Sequence, residues 1–303
     1  MTRMSPVTAK FMQPGETPAA FEKRVHDQAE LRWTDFAGGR MAWHVWGLEN
    51  GQAVKPPLVL FHGGYGSWRH WILNVVELSR RFTVFAADLP GLGDSDPAHD
   101  ADTAPAIGAI ASQGIDQLIP APQRFDFAGF SFGGIIGGQV ALLQGERMRT
   151  CTIIGSGALG LPFEELDGLM KVKAGQSVEE LHAVHRNNLG IVMIATKENV
   201  DDLAVYVQDE TTRRARARSG PIPLGDSLAK ALPNIKARVC TIWGGRDGVV
   251  GRYLKDRLEL FRRAVPGIQP HVIDGAGHWV IFEAADRVNP LLVELFLGSD
   301  GKA

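Results

Sequence analysis

Short apolar runs recur along the chain at wide spacing. "PLVLFHG" (57–63), "FTVFAAD" (82–88), "RFDFAGF" (124–130), "TCTIIG" (150–155), "RVCTIWG" (238–244) and "QPHVIDG" (269–275) are each long enough for one strand. The first three are each followed by a helix-length segment. Continuous apolar strands alternating with helices predict a mainly parallel sheet covered on both faces. Two alternating runs precede them, "LRWTDF" (31–36) and "MAWHVWG" (41–47), separated by "AGGR". Turn residues between alternating runs predict a hairpin. The expected fold class is therefore α/β, a mostly parallel sheet of eight strands with flanking helices.

Between 161 and 234 the strand pattern stops. "VEELHAVHRNNLGIVMIA", "NVDDLAVYVQDETTRRARARSG" and "LGDSLAKAL" carry helical spacing with polar faces. This predicts a helical insertion that caps the sheet's C-terminal edge; a separate helical domain without a role in the site is the alternative. Residues 1–30 are polar and read as an N-terminal arm. The core then comprises 31–160 and 235–303, and the cap 161–234.

Composition narrows the partners. The net charge is −2 and the pI about 6.5, so neither nucleic acid nor an anionic membrane is favoured. The N-terminus has no apolar run of signal-peptide length, and no stretch approaches the roughly 20 apolar residues of a membrane span. A cytoplasmic protein acting on a small molecule is the expectation; a homo-oligomer stays open. Cys151 and Cys240 each sit in an apolar run and read as buried thiols. No CxxC or HExxH spacing occurs, so no metal and no cofactor are expected.

The candidate chemistry starts at "DFAGFSFGGIIGG" (126–138), where a strand runs into Ser131 and a helix follows. That context selects Ser131 as a nucleophile on a sharp turn, with Gly129 and Gly133 allowing close backbone approach. The alternative is a helix-capping hydroxyl. A serine needs a base, and His278 in "DGAGHWV" lies on a glycine loop beyond the last strand. The base needs an orienting carboxylate: Asp247 in "GGRDGVV" follows the seventh strand, with Asp274 as the competing acid. The order Ser131, Asp247, His278 differs from that of the other serine-protease folds. The oxyanion donors are expected at the N–H groups of Phe132 and Gly64. His62 reads as a structural brace. His70 and Trp71 either line the pocket or anchor the first helix.

These motifs, "HGGYGS" (62–67), "DLPGLGDSD" (88–96), "GFSFGG" (129–134), "GGRDGVV" (244–250) and "GAGHWV" (275–280), resemble the serine hydrolases of the α/β-hydrolase fold over about 58–298. With Ser rather than Asp at 131, the resemblance implies an acyl-enzyme route. "GHWVIFEAADRVNPLLVELF" and "VQDETTRRARARSG" are similar to the carbon–carbon bond hydrolases of meta-cleavage products. Those bind a dienoate carboxylate through a cap arginine and often carry an aromatic residue after the catalytic histidine, here Trp279. Arg186 is one candidate for that arginine; Arg213, Arg214, Arg216 and Arg218 are either others or a solvated helix face. That subgroup usually has Asn before the nucleophile, where this chain has Phe130, which suits an apolar acyl pocket. The leading expectation is a cofactor-independent hydrolase of a small ester or lactone. Carbon–carbon bond hydrolysis and a non-catalytic ligand-binding module are the alternatives.

Overall fold

The computed structural model describes residues 2–298; the ends of the expected arm and core, Met1 and 299–303, lie outside them. Eight strands form one sheet: β1 (Glu30–Phe36), β2 (Gly39–Trp46), β3 (Pro57–Phe61), β4 (Thr83–Ala87), β5 (Phe125–Phe130), β6 (Met148–Ile154), β7 (Arg238–Gly244) and β8 (His271–Ile273). Their order is β1-β2-β4-β3-β5-β6-β7-β8. The hairpin β1–β2 is antiparallel and β2 pairs antiparallel with β4; every other pairing is parallel. The β1–β2 turn is tighter than "AGGR" suggests, because Phe36 pairs with Gly39 and leaves only Ala37 and Gly38 between the strands.

Among the described residues ten α-helices accompany the sheet: α1 (Pro18–His26), α2 (Val75–Ser79), α3 (Ala104–Leu118), α4 (Phe132–Gln144), α5 (Val178–Val192), α6 (Asp202–Arg214), α7 (Ser227–Ala231), α8 (Leu254–Ala264), α9 (Val280–Glu283) and α10 (Ala285–Leu297). Every residue of β3, β4 and β5 is buried. Such strands need mostly apolar side chains on both faces, which is why they read as apolar runs, interrupted in β5 by the buried Asp126. One apolar cluster, including Leu58, Leu60, Val84 and Phe296, fills one side of the sheet; a second, including Val59, Phe61, Phe127 and Ile136, fills the other.

The strandless interval holds α5, α6 and α7 and joins β6 to its parallel neighbour β7. Ser177 opens α5 with a reciprocal capping box to Glu180, and Asp201 caps α6 through Ala204 N–H, each satisfying first-turn donors. The N-terminal segment is docked onto this insertion. Ser5 N–H and Thr8 Oγ1 donate to the Asp201 carboxylate, and Arg3 N–H to Asp202. Cys151 and Cys240 are buried free thiols. No helix among the described residues is long and apolar enough to cross a membrane.

Candidate active site

Ser131 sits between β5 and α4 with φ 50° and ψ −113°, a region that costs a non-glycine residue of order 1–3 kcal/mol. Surrounding bonds fix this turn. Ser131 N–H donates to Ile154 O at 2.7 Å, and Ser131 O accepts Gly134 N–H and Ser156 Oγ at 3.0 and 2.9 Å. A Cβ on Gly133 would lie 2.5 Å from Phe61 O, and one on Gly129 2.5 Å from Gly133 O. Only glycine lets strand and helix pass this closely.

From Ser131 a hydrogen-bonded chain runs inward. His278 Nε2 is 3.1 Å from Ser131 Oγ, and His278 Nδ1 is 2.8 Å from Asp247 Oδ2. Asp247 Oδ1 accepts the N–H groups of Val249 and Val250 at 2.9 and 3.2 Å. A carboxylate held at Nδ1 assigns that nitrogen the proton and leaves the Nε2 lone pair for the serine hydroxyl. The competing acid, Asp274, has an exposed side chain, and its carbonyl accepts Arg287 Nη1. Asp247 already occupies Nδ1.

Phe132 opens α4, so its N–H has no intrahelical acceptor. The Gly64 N–H has no hydrogen-bond partner among the described residues. Gly63 N–H, by contrast, donates to His70 Nδ1 at 3.2 Å. His70 is therefore part of the loop's frame, and burial pushes its imidazole down to about 3, helped by His62 and His278. His62 braces the same loop: Nδ1 donates to Gly63 O at 2.7 Å and Nε2 accepts Leu89 N–H at 2.9 Å.

Ser131 and His278 open into a cavity of about 290 Å³, walled by Phe130, Leu189, Val192, Met193 and Val249. Gly63, Gly64, Tyr65, His70, Asn188 and Gln208 complete it. Of the expected pocket residues, Phe130 and His70 line it. Trp71 does not: it is buried and donates Nε1–H to Phe61 O at 3.1 Å, anchoring the following segment to the sheet. Trp279 does not either. It lies behind His70, donating to His70 O at 3.0 Å and stacking on Phe282 at 4.3 Å. Arg186 is also outside. Its guanidinium donates to Val200 O at 2.6 Å and pairs with Asp202 at 2.8 Å, lining a separate surface groove.

Of the other arginines in the insertion, Arg213 and Arg218 are exposed, Arg213 pairing with Glu210 on its own helix, as a solvated face requires; Arg214 and Arg216 are engaged elsewhere. Arg214 pairs with Asp94 at 3.0 Å, and Arg216 donates to the carbonyls of Gly93 and Ser95. Together they fasten the end of α6 to the loop after β4. Sequence reasoning missed the cavity-lining residues on α5 and α6. Leu189, Val192 and Met193 recur at helical spacing, but spacing does not say which face meets Ser131. It also passed over Glu283, which lies inside the quoted "GHWVIFEAADRVNPLLVELF" stretch.

A family model, the alpha/beta hydrolase family, matches residues 58–291. The chain is 28% identical over 266 residues to a "dihydrolipoyllysine-residue acetyltransferase component of acetoin cleaving system" of Pseudomonas putida, covering 83% of this chain and 65% of that protein. This chain thus spans less than two thirds of that relative's length. It is also 28% identical over 261 residues to a "2-hydroxymuconate semialdehyde hydrolase" of Pseudomonas sp. strain CF600, covering 82% of this chain and 89% of that one. A crystal structure of a carboxylesterase from Bacillus subtilis superposes with a TM-score of 0.66 at 20% identity, covering 93% of this chain and 97% of the other.

Proposed function

The chain belongs to the alpha/beta hydrolase family, and from that premise we propose that it is a cofactor-independent serine hydrolase that cleaves a small ester or lactone with an apolar acyl part. The observation that carries this reading is the hydrogen-bonded chain Ser131–His278–Asp247 ending in an apolar cavity.

In the proposed reaction His278 Nε2 takes the Ser131 proton as Oγ attacks the substrate carbonyl. Asp247 holds the imidazole in the tautomer this requires and stabilises the imidazolium. The developing oxyanion is met by the Phe132 and Gly64 N–H groups, each contributing about 3–4 kcal/mol in such sites. His278 then protonates the departing alkoxide. In the second half-reaction it deprotonates the water that releases the acyl group from Ser131.

The cavity walls argue for a neutral, apolar acyl group. Among the described residues no lysine or arginine lines the cavity, so an acidic substrate would enter without a counter-charge. The second reading, carbon–carbon bond hydrolysis, is favoured by the name of the Pseudomonas sp. relative. It uses the same three residues but needs a site for the dienoate carboxylate, and Arg186 is engaged elsewhere. Side-by-side assay of p-nitrophenyl acetate, p-nitrophenyl butyrate and a meta-cleavage dienoate tests the choice. Turnover of the esters with a dienoate rate lower by orders of magnitude is expected; the reverse ranking overturns the ester reading.

A further inference from the structure

Resting on the serine-hydrolase reading, we propose that Glu283 is a positioning residue whose carboxylate holds the His278 loop and the C-terminal end of α5 together as one unit. Glu283 is 4% exposed, and no cation is paired with it among the described residues. A buried carboxylate without a counter-ion is costly unless its lone pairs are filled, and here N–H donors fill them. Oε2 accepts Gly277 N–H at 2.6 Å and Ala195 N–H at 2.9 Å. Oε1 accepts Thr196 N–H at 2.9 Å and Asn199 Nδ2 at 3.2 Å.

These donors come from two places that matter to the site. Gly277 immediately precedes His278, whereas Ala195, Thr196 and Asn199 follow α5. The far side of His278 is tied to the same segment, because Trp279 N–H donates to Met193 O at 2.7 Å. Met193 itself lines the cavity. The two segments touch so closely that a Cβ on Gly277 would lie 2.6 Å from Ala195 N and 2.8 Å from Met193 O. The pocket wall and the imidazole's mounting are thus one hydrogen-bonded body, with Glu283 at its centre.

An amide cannot take this place. Glutamine has one acceptor oxygen, and its NH₂ would face two N–H donors. The expected consequence is a displaced His278, which slows every step that needs the base while leaving the apolar cavity to bind substrate. The test compares wild type and Glu283→Gln, each shown folded by circular dichroism. Two rates are measured: inactivation of Ser131 by a fluorophosphonate, and turnover of p-nitrophenyl butyrate. The variant should lose about 10- to 100-fold in inactivation rate and in kcat, with KM within about threefold of wild type. Wild-type rates in the folded variant, or a loss carried by KM with kcat intact, overturn the inference. Should Glu283→Gln not fold, Asn199→Ala removes one donor only and should slow inactivation about threefold; an unchanged rate overturns the inference. Wild-type protein that fails to react at all overturns the serine-hydrolase reading, and the inference with it.

Discussion

Asp247 and His278 meet at 2.8 Å, and the second oxygen of the same carboxylate is held by two backbone N–H groups from its own loop. The aspartate therefore does not pivot with the imidazole; it sets the ring's orientation from a fixed mount. Asp247→Asn keeps the shape but presents either an acceptor oxygen or an NH₂ to Nδ1. With NH₂ there, the ring proton moves to Nε2 and the lone pair is lost to the serine. Ester turnover should fall by about 10⁴-fold in protein that still unfolds cooperatively, as measured by steady-state kinetics and a thermal melt. Asp274→Asn, at an exposed position, should leave turnover near wild type.

The strand-to-helix turn predicts a stability defect. Gly133→Ala places a methyl group against backbone atoms of Phe61 and His62, with 2.5 Å to Phe61 O. Backbone cannot rotate aside as a side chain can. Overpacking of this kind costs about 1–3 kcal/mol, so urea unfolding should show a lower midpoint with an unchanged slope.

The buried histidines predict weakening in acid. Burial holds His70 down to about 3 from an ordinary 6.5, and His62 is pushed the same way. Between those values the unfolded chain takes up protons that the folded chain refuses, so stability falls as pH falls through that window. Thermal midpoints should drop as pH is lowered from about 6.5 toward 4. His70→Gln, which cannot titrate, should show a shallower drop; an equal slope would place the effect elsewhere.

Arg186 separates the two substrate readings. Its guanidinium faces a groove away from Ser131 and pairs with Asp202. Arg186→Ala should leave kcat/KM for p-nitrophenyl butyrate within about twofold of wild type. A large rise in KM for an acidic substrate in this variant would instead point to a carboxylate contact.

Much of this architecture is legible in the chain because its signals are local. Strands buried on both faces are mainly apolar, with exceptions such as the buried Asp126 of β5, so β3 to β7 announce themselves. The turn at Ser131 demands glycine at 129 and 133, and the order of serine, aspartate and histidine follows from where strand ends fall. The pocket was less legible because it is made by tertiary packing. Trp279 is adjacent to His278 in sequence yet turns behind His70, since its indole N–H finds the His70 carbonyl there. Arg186 lies on the helix that walls the cavity but on another face, drawn to Asp202. Glu283 lies within a quoted stretch, but its partners have no local signal: its four donors come from segments up to 88 residues away, and only the fold brings them together.

Whether Ser131 is the nucleophile is read out by intact-mass measurement after treatment with a fluorophosphonate. Folded wild-type protein should gain one phosphonyl adduct, mapped by peptide sequencing to Ser131, and Ser131→Ala should gain none. A folded wild-type chain that stays unlabelled, or an adduct that persists in Ser131→Ala, would contradict that role.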